Sequence, residues 1–214
     1  MAAPSGKEII SALRSELEEL NRERTNHPFV VEAEKGSLPL KAVKKFVANQ
    51  LYIVPHDMKS LAFLLSRARD GAEAALFKAL LDGDYKAMQL LKRLAEAVGL
   101  TSTEARELLD ARAVAYTHYL SWLALHATLG QAAVALVVNL PVWGSNTARL
   151  ARALRENYGI AETGFLELFA GPYDELENKA YIVVERYYDM DAYRTVARMI
   201  QAYEKMFWDA VYSA

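Results

Sequence analysis

Ala132-Ala133-Val134-Ala135-Leu136-Val137-Val138-Asn139-Leu140-Pro141-Val142-Trp143-Gly144-Ser145-Asn146 carries no polar side chain over its first seven residues. A helix written this way is buried on most of its faces. The run belongs to a helical segment predicted from Gly130 to Arg155. Asn139, Trp143 and Asn146 then follow at i, i+4 and i+7, which places two amides and an indole on one face. A buried amide without partners costs about 1–3 kcal/mol. Pro141 removes a backbone donor and is expected to bend the helix. Two arrangements satisfy this pattern: the wall of a small-molecule pocket, and a Pro-kinked core helix whose amides serve a neighbour's backbone.

Outward from this stretch nearly everything reads as helix. Ile9, Leu13, Leu17 and Leu20 mark one amphipathic helix ending before Asn26-His27-Pro28. His27, just ahead of Pro28, is read as fixing that turn. Phe29–Glu34 is a short helix stopped at Gly36, and Ser37 is expected to cap the next, with Pro39 in its first turn. That helix passes Pro55 and runs to Leu65. Ala75–Val98 follows, with Gly83 read as an interruption. Thr101-Ser102-Thr103-Glu104 has capping-box spacing and opens a helix to about Thr128. Phe165–Phe169, Tyr173–Tyr188 and Ala192–Tyr212 complete the set. Strand signals and internal repeats are missing. The expectation is one all-α bundle over 1–214, with seven or eight helices.

The 214 residues are 53% hydrophobic and 24% charged, with a net charge of −2. That balance exerts no pull on nucleic acid or anionic membrane, and no basic stripe appears. Cysteine is absent, which excludes disulfides and thiolate nucleophiles. Met1–Lys7 is short and polar, unlike a signal peptide, and no apolar run is long enough to span a membrane, so a cytoplasmic location is expected. Only 7 Asn and 4 Gln occur, which hints at a thermophilic source.

Several side chains are candidates for chemistry. Glu204 lies at the edge of the apolar stripe Tyr193, Val196, Ile200, Tyr203, Phe207, Val211. Pressed against aromatic rings, its carboxyl is expected to be desolvated and to hold a proton near neutrality. The alternative is a glutamate that swings out to a surface lysine. Gln50, Tyr52 and Asp57 surround Pro55, with Gln50 and Asp57 on one face, where they offer hydrogen bonds to a ligand or form a solvated edge. Tyr116 and Tyr119 begin a further aromatic helix. His27, His56, His118 and His126 lack Glu-x-x-His or His-x₃-His spacing, so no metal is expected. No phosphate loop and no serine nucleophile motif are present.

In order and spacing, these pieces resemble the TenA family, which has the haem-oxygenase-like helical fold. The likeness rests on Asn26-His27-Pro28-Phe29-Val30 with Gly36-Ser37-Leu38-Pro39, on Ala115-Tyr116-Thr117-His118-Tyr119-Leu120, on Ala135 through Trp143, and on Tyr203-Glu204-Lys205-Met206-Phe207-Trp208. It covers almost the whole chain. The resemblance implies hydrolysis of aminopyrimidine compounds and, more slowly, of thiamin, by a Cys nucleophile, a pyrimidine-holding Asp, a proton-relaying Glu and pocket tyrosines. Carried over, the Glu is Glu204 and the first tyrosine is Tyr116. The Cys position is Val142, the Asp position Gln50, and two tyrosine positions fall on Asn146 and near Phe169. Tyr116 and Val142 are also further apart than in the family pattern, which predicts a longer loop around His126–Gly130.

The resemblance thus keeps the pocket and removes the family's thiol. The expected site combines Glu204 as catalytic acid/base with Gln50, Tyr52, Tyr116, Asn139, Val142, Trp143, Asn146, Phe169 and Phe207 around a thiamin-related pyrimidine or other heteroaromatic molecule. No cofactor is called for. Cys-independent salvage is the first reading. A non-hydrolytic binding protein is the second. A metal-free oxidase like the PqqC-type relatives, which Tyr52-Ile53-Val54-Pro55-His56-Asp57-Met58-Lys59 resembles, is the third. The ligand set of di-iron relatives is broken at about Leu91. Association into a homodimer or homotetramer is expected from the family.

Overall fold

The computed structural model describes residues 4–213, so the first residues of the Met1–Lys7 stretch lie outside them. The described residues form twelve helices and no strand. They are α1 (Gly6–Glu16), α2 (Glu18–Thr25), α3 (Pro28–Glu34), α4 (Leu40–Ser66), α5 (Gly71–Ala97), α6 (Ser102–Glu107), α7 (Ala111–His126), α8 (Leu129–Val137), α9 (Leu140–Tyr158), α10 (Gly164–Glu167), α11 (Asp174–Arg186) and α12 (Met190–Tyr212). The all-α class agrees with the sequence reading. The helix count exceeds it because several long segments are broken.

The break that matters most lies in the quoted stretch. Instead of one bent helix, α8 ends at Val137, Val138 and Asn139 form a turn, and α9 starts at Leu140 with Pro141 in its first turn. Proline has no N–H to offer the carbonyl four residues back, so Val137 loses its partner. Arg14 of α1 replaces it: Nη2 donates to the Val137 carbonyl at 2.8 Å and Nε to the Val138 carbonyl at 3.2 Å. Glu177 of α11 holds the same guanidinium at 2.6 Å. Pro55 in α4 behaves differently. The helix continues through it, and the His56 ring donates from Nδ1 to the Tyr52 carbonyl at 2.7 Å.

The helix expected from Thr101 to Thr128 divides into α6 and α7. Asn49 of α4 holds the joint, donating to the Leu108 carbonyl and accepting from the Asp110 N–H, each at 3.0 Å. Thr101 does form its capping box. Gly83, by contrast, interrupts nothing: α5 runs on through it. Ser37 does not cap α4; its hydroxyl donates back to the Glu32 carbonyl. The connection after His126 is only Ala127–Thr128, not a long loop, because Thr128 caps α8 in a capping box with Gln131. His27 does fix its turn, its Nδ1 accepting from the Phe29 N–H.

Packing runs in a circuit. Helix α4 lies against α5 and α7, α7 against α12, α12 against α8, α8 against α11, and α11 against α5. Helices α3, α9 and α10 pack together beside it, with α10 also touching α5. Two apolar clusters fill the interior. One gathers Phe29, Phe46, Phe165, Phe207 and Trp208, and the other gathers Ile9, Leu13, Leu64, Leu76, Tyr193 and Ile200. Burial on this scale, at about 25 cal/mol per Å² of apolar surface, is the main driving force for folding.

Candidate active site

A cavity of about 140 Å³ lies where the two clusters meet. Each helix supplies the residues that its period turns inward. On α4 these are Gln50, Ile53, Val54, Asp57 and Leu61, spaced i, i+3, i+4, i+7 and i+11. Helix α5 adds Leu80 and Asp84, α7 adds Tyr116 and Leu120, and α8 adds Ala135 and Leu136. The turn and start of α9 add Asn139, Leu140 and Trp143; Phe169 closes one side; α12 adds Ile200, Glu204 and Phe207.

Glu204 is buried and tied at both oxygens. Trp208 donates its indole N–H to Oε1 at 3.0 Å, and Asn139 donates Nδ2 to Oε2. Gln201 donates to the Asn139 carbonyl oxygen at 2.5 Å. A carboxylate accepts only, so the Asn139 amide must turn its NH₂ toward Glu204 and its oxygen toward Gln201. Burial pushes the Glu204 carboxyl above the usual range, against the pull of the Trp208 and Asn139 bonds and of the nearby Arg24 charge. Arg24 is itself buried, donating to the Gln201 carbonyl at 3.0 Å and to the Leu20 carbonyl. The breaking of the helix at Asn139 is what makes this network possible, because the residue stands at a turn between two helices that both approach α12.

A second acidic region lies on α4 and α5. Asp57 is buried and accepts from the Thr117 hydroxyl at 2.5 Å. Burial, and then the charge of Asp84, raise its carboxyl well above the ordinary range. Burial alone raises Asp84 to about 7. Tyr116 faces Asp57, Asp84 and Glu204 together; burial and then those three charges keep its phenol protonated.

Of the residues expected around the ligand, Glu204, Gln50, Tyr116, Asn139, Trp143, Phe169 and Phe207 line the cavity. Three do not. Tyr52 sits two residues from Gln50, turned about 160° away at 100° per residue. Its ring stacks on His56 at 4.2 Å and its hydroxyl meets His118 at 3.2 Å. Val142 is buried, but it sits one residue, and about 100°, from the inward Trp143. Asn146 has the face expected of it but lies about 10 Å along the axis from Asn139. There its Nδ2 donates to the Arg24 carbonyl at 3.1 Å. Face was legible in the spacing; depth along the helix was not.

Asp84, Thr117, Gln201 and Arg24 were missed. Reading Gly83 as a break hid the stripe Leu80, Asp84, Ala87, Leu91, which turns a partly exposed carboxyl toward the cavity. The stripe Ala197, Gln201, Glu204, Trp208 carried the same signal in α12. Gly144 contributes by having no side chain: a methyl group there would overlap the Tyr173 hydroxyl and the Phe169 carbonyl. The segment bearing Phe169 therefore packs directly on α9, bringing the Phe169 ring to 6.0 Å from Trp143, edge to face. Among the described residues no group of three or more potential metal ligands occurs, and no helix is long and apolar enough to cross a membrane.

The helical fold is haem-oxygenase-like: a Shewanella denitrificans domain described as having that fold superposes with a TM-score of 0.72 at 12% identity, covering 97% of this chain and 90% of that one. The TENA/THI-4/PQQC family profile matches residues 14–214, and the chain belongs to that family. Solved structures agree at the level of fold. A TenA homologue from Pyrococcus furiosus superposes with a TM-score of 0.80 at 18% identity, covering 95% of this chain and 99% of that one. A TenA homologue from P. horikoshii gives 0.79 at 20% identity, covering 96% and 98%. A protein of Sulfolobus solfataricus described as a putative TenA-like thiaminase gives 0.73 at 16% identity, covering 94% of each chain. No curated protein matches the chain significantly.

Proposed function

We propose that this chain binds a small heteroaromatic molecule, thiamin-related or of similar shape, in the central cavity, and cleaves a C–N bond in it with Glu204 as acid and base and without a covalent nucleophile. The observation that carries this reading is the Glu204 network. A carboxyl at the cavity wall is raised by burial and held at both oxygens by Trp208 and Asn139. A carboxylate made more basic by burial can take a proton from water and return it to a departing nitrogen. The water oxygen forms the new C–O bond as the C–N bond breaks, and the amine leaves with the returned proton. Trp143, Phe169 and Phe207 supply aromatic surface for the ring. Family membership and the thiaminase-like neighbour support the substrate class. Val142 at the family's nucleophile position, in a chain with no cysteine, argues against the thiol route.

The test is turnover of aminopyrimidine and thiamin by wild type and by Glu204→Gln. The expected result is slow wild-type hydrolysis that falls by about 10²–10⁴-fold in the variant. Wild-type turnover unaffected by the substitution would overturn the assignment of Glu204. Tight binding without turnover would move the protein to the non-hydrolytic reading.

A further inference from the structure

The polar groups of the cavity are unevenly served. Glu204 is satisfied by its own network. Across the cavity, Asp57 is only 8% exposed, and Thr117 is the one donor that reaches it among the described residues. Asp84 lines the same wall, and no donor among the described residues reaches it. Gln50 lies two turns before Asp57 on the same face of α4 and is 5% exposed, again with no hydrogen-bond partner among the described residues. The lining contains no Lys, Arg or His. Two carboxyls and a free amide thus face the cavity with no cation in its lining to answer them, Asp57 and Gln50 buried and Asp84 partly exposed, and polar groups withdrawn from water favour a partner.

We propose that Asp57 and Asp84 form a subsite for the positively charged nitrogen of an organic ligand, with Gln50 reading a polar edge beside it. The inference rests on the cavity being a heteroaromatic-binding site, and it names which part of the ligand carries charge. An organic cation fits better than a metal ion. Hard divalent cations take six or more oxygens, whereas the lining residues one turn away on each helix are Val54, Leu61 and Leu80. The aromatic faces of Tyr116, Trp143 and Phe207 in the same lining suit a ring bearing a cationic group. The size is suitable too: apolar cavities of about 150 Å³ hold benzene, and this one is about 140 Å³. Burial raises both carboxyls, Asp84 to about 7, and so favours their protonated forms. A cationic ligand lets the protons leave and restores the charge balance.

The experiment compares benzylamine, a cation at pH 8, with benzyl alcohol, its neutral near-isostere, by calorimetric titration of the whole protein. Wild type is expected to bind the amine at least about tenfold more tightly. Asp57→Asn and Asp84→Asn should each bring the two affinities within about threefold. The wild-type comparison needs no variant, so it stands even where a substitution impairs folding. Equal wild-type affinities would overturn the inference while leaving the cavity reading intact. So would a full preference in both folded Asp variants. Failure of both probes to bind would contradict the cavity reading itself, and the subsite with it.

Discussion

Asp84 follows Leu80 by one turn on α5, on the wall where the helix meets the cavity. Its carboxyl is raised by burial from an ordinary value of 3.8 to about 7. A raised carboxyl holds its proton more tightly in the folded chain than in the unfolded one. Its contribution to stability is therefore fully present below about pH 4 and lost as pH rises through about 7. Asp57, Tyr116 and, at a distance, Glu204 are the titratable groups that share its cavity. Replacing Asp84 by Asn removes that loss. The melting temperature of the ligand-free variant should rise by roughly 3–10 °C at pH 8 and change little at pH 4. A variant less stable than wild type at pH 8 would show that Asp84 has a partner in solution. The cavity acids differed in legibility. Glu204 was recognisable at the edge of an aromatic stripe, and Asp57 was noted for sharing a face with Gln50 but was not placed in the expected site. Asp84 was hidden by the glycine before it, which an unkinked helix simply absorbs.

Among the elements, the turn between α8 and α9 joins sequence to site most closely. Pro141 frees the Val137 carbonyl, Arg14 takes it, and Asn139, at the turn that opens α9, reaches Glu204. Arg14→Met should leave the Val137 and Val138 carbonyls without their side-chain donor and the Glu177 carboxylate with Tyr181 alone, costing about 2–4 kcal/mol. Its effect should extend to the site, lowering turnover by wild-type assay although Arg14 lies outside the cavity lining. Chemical denaturation together with turnover measures both. A variant as stable as wild type would mean that the turn holds without the guanidinium. The sequence made the special character of this segment plain, through its apolar run, its amides and its proline. It did not distinguish bending from breaking, because that depends on a distant arginine supplying the missing donors. The joint between α6 and α7 was unreadable for a similar reason: it is closed by Asn49, about sixty residues earlier in the chain.

On the scale of the molecule, the outer face of α7 is unusually aromatic. Trp122 is 50% and Leu125 59% exposed, and Tyr119 stacks on Tyr203 of α12 at 4.8 Å. Exposed apolar side chains grouped in this way favour association. The chain is expected to form a homodimer or homotetramer through this face, and Trp122→Glu should shift it toward monomer. Light scattering across a concentration series tests this; a wild-type monomer throughout would contradict it.

Glu204 is a buried carboxyl at the cavity wall, and the proposed C–N cleavage depends on its exchanging a proton in a useful pH range. Its titration can be followed directly by carboxyl-carbon NMR, with the Glu204 signal assigned by its absence in Glu204→Gln. The account predicts a midpoint clearly above the ordinary glutamate value of 4.5, as burial against the α12 aromatics requires. A midpoint at or below that value would mean that the Trp208 and Asn139 bonds and Arg24 hold Glu204 permanently ionised, and it would contradict the acid–base role assigned to it.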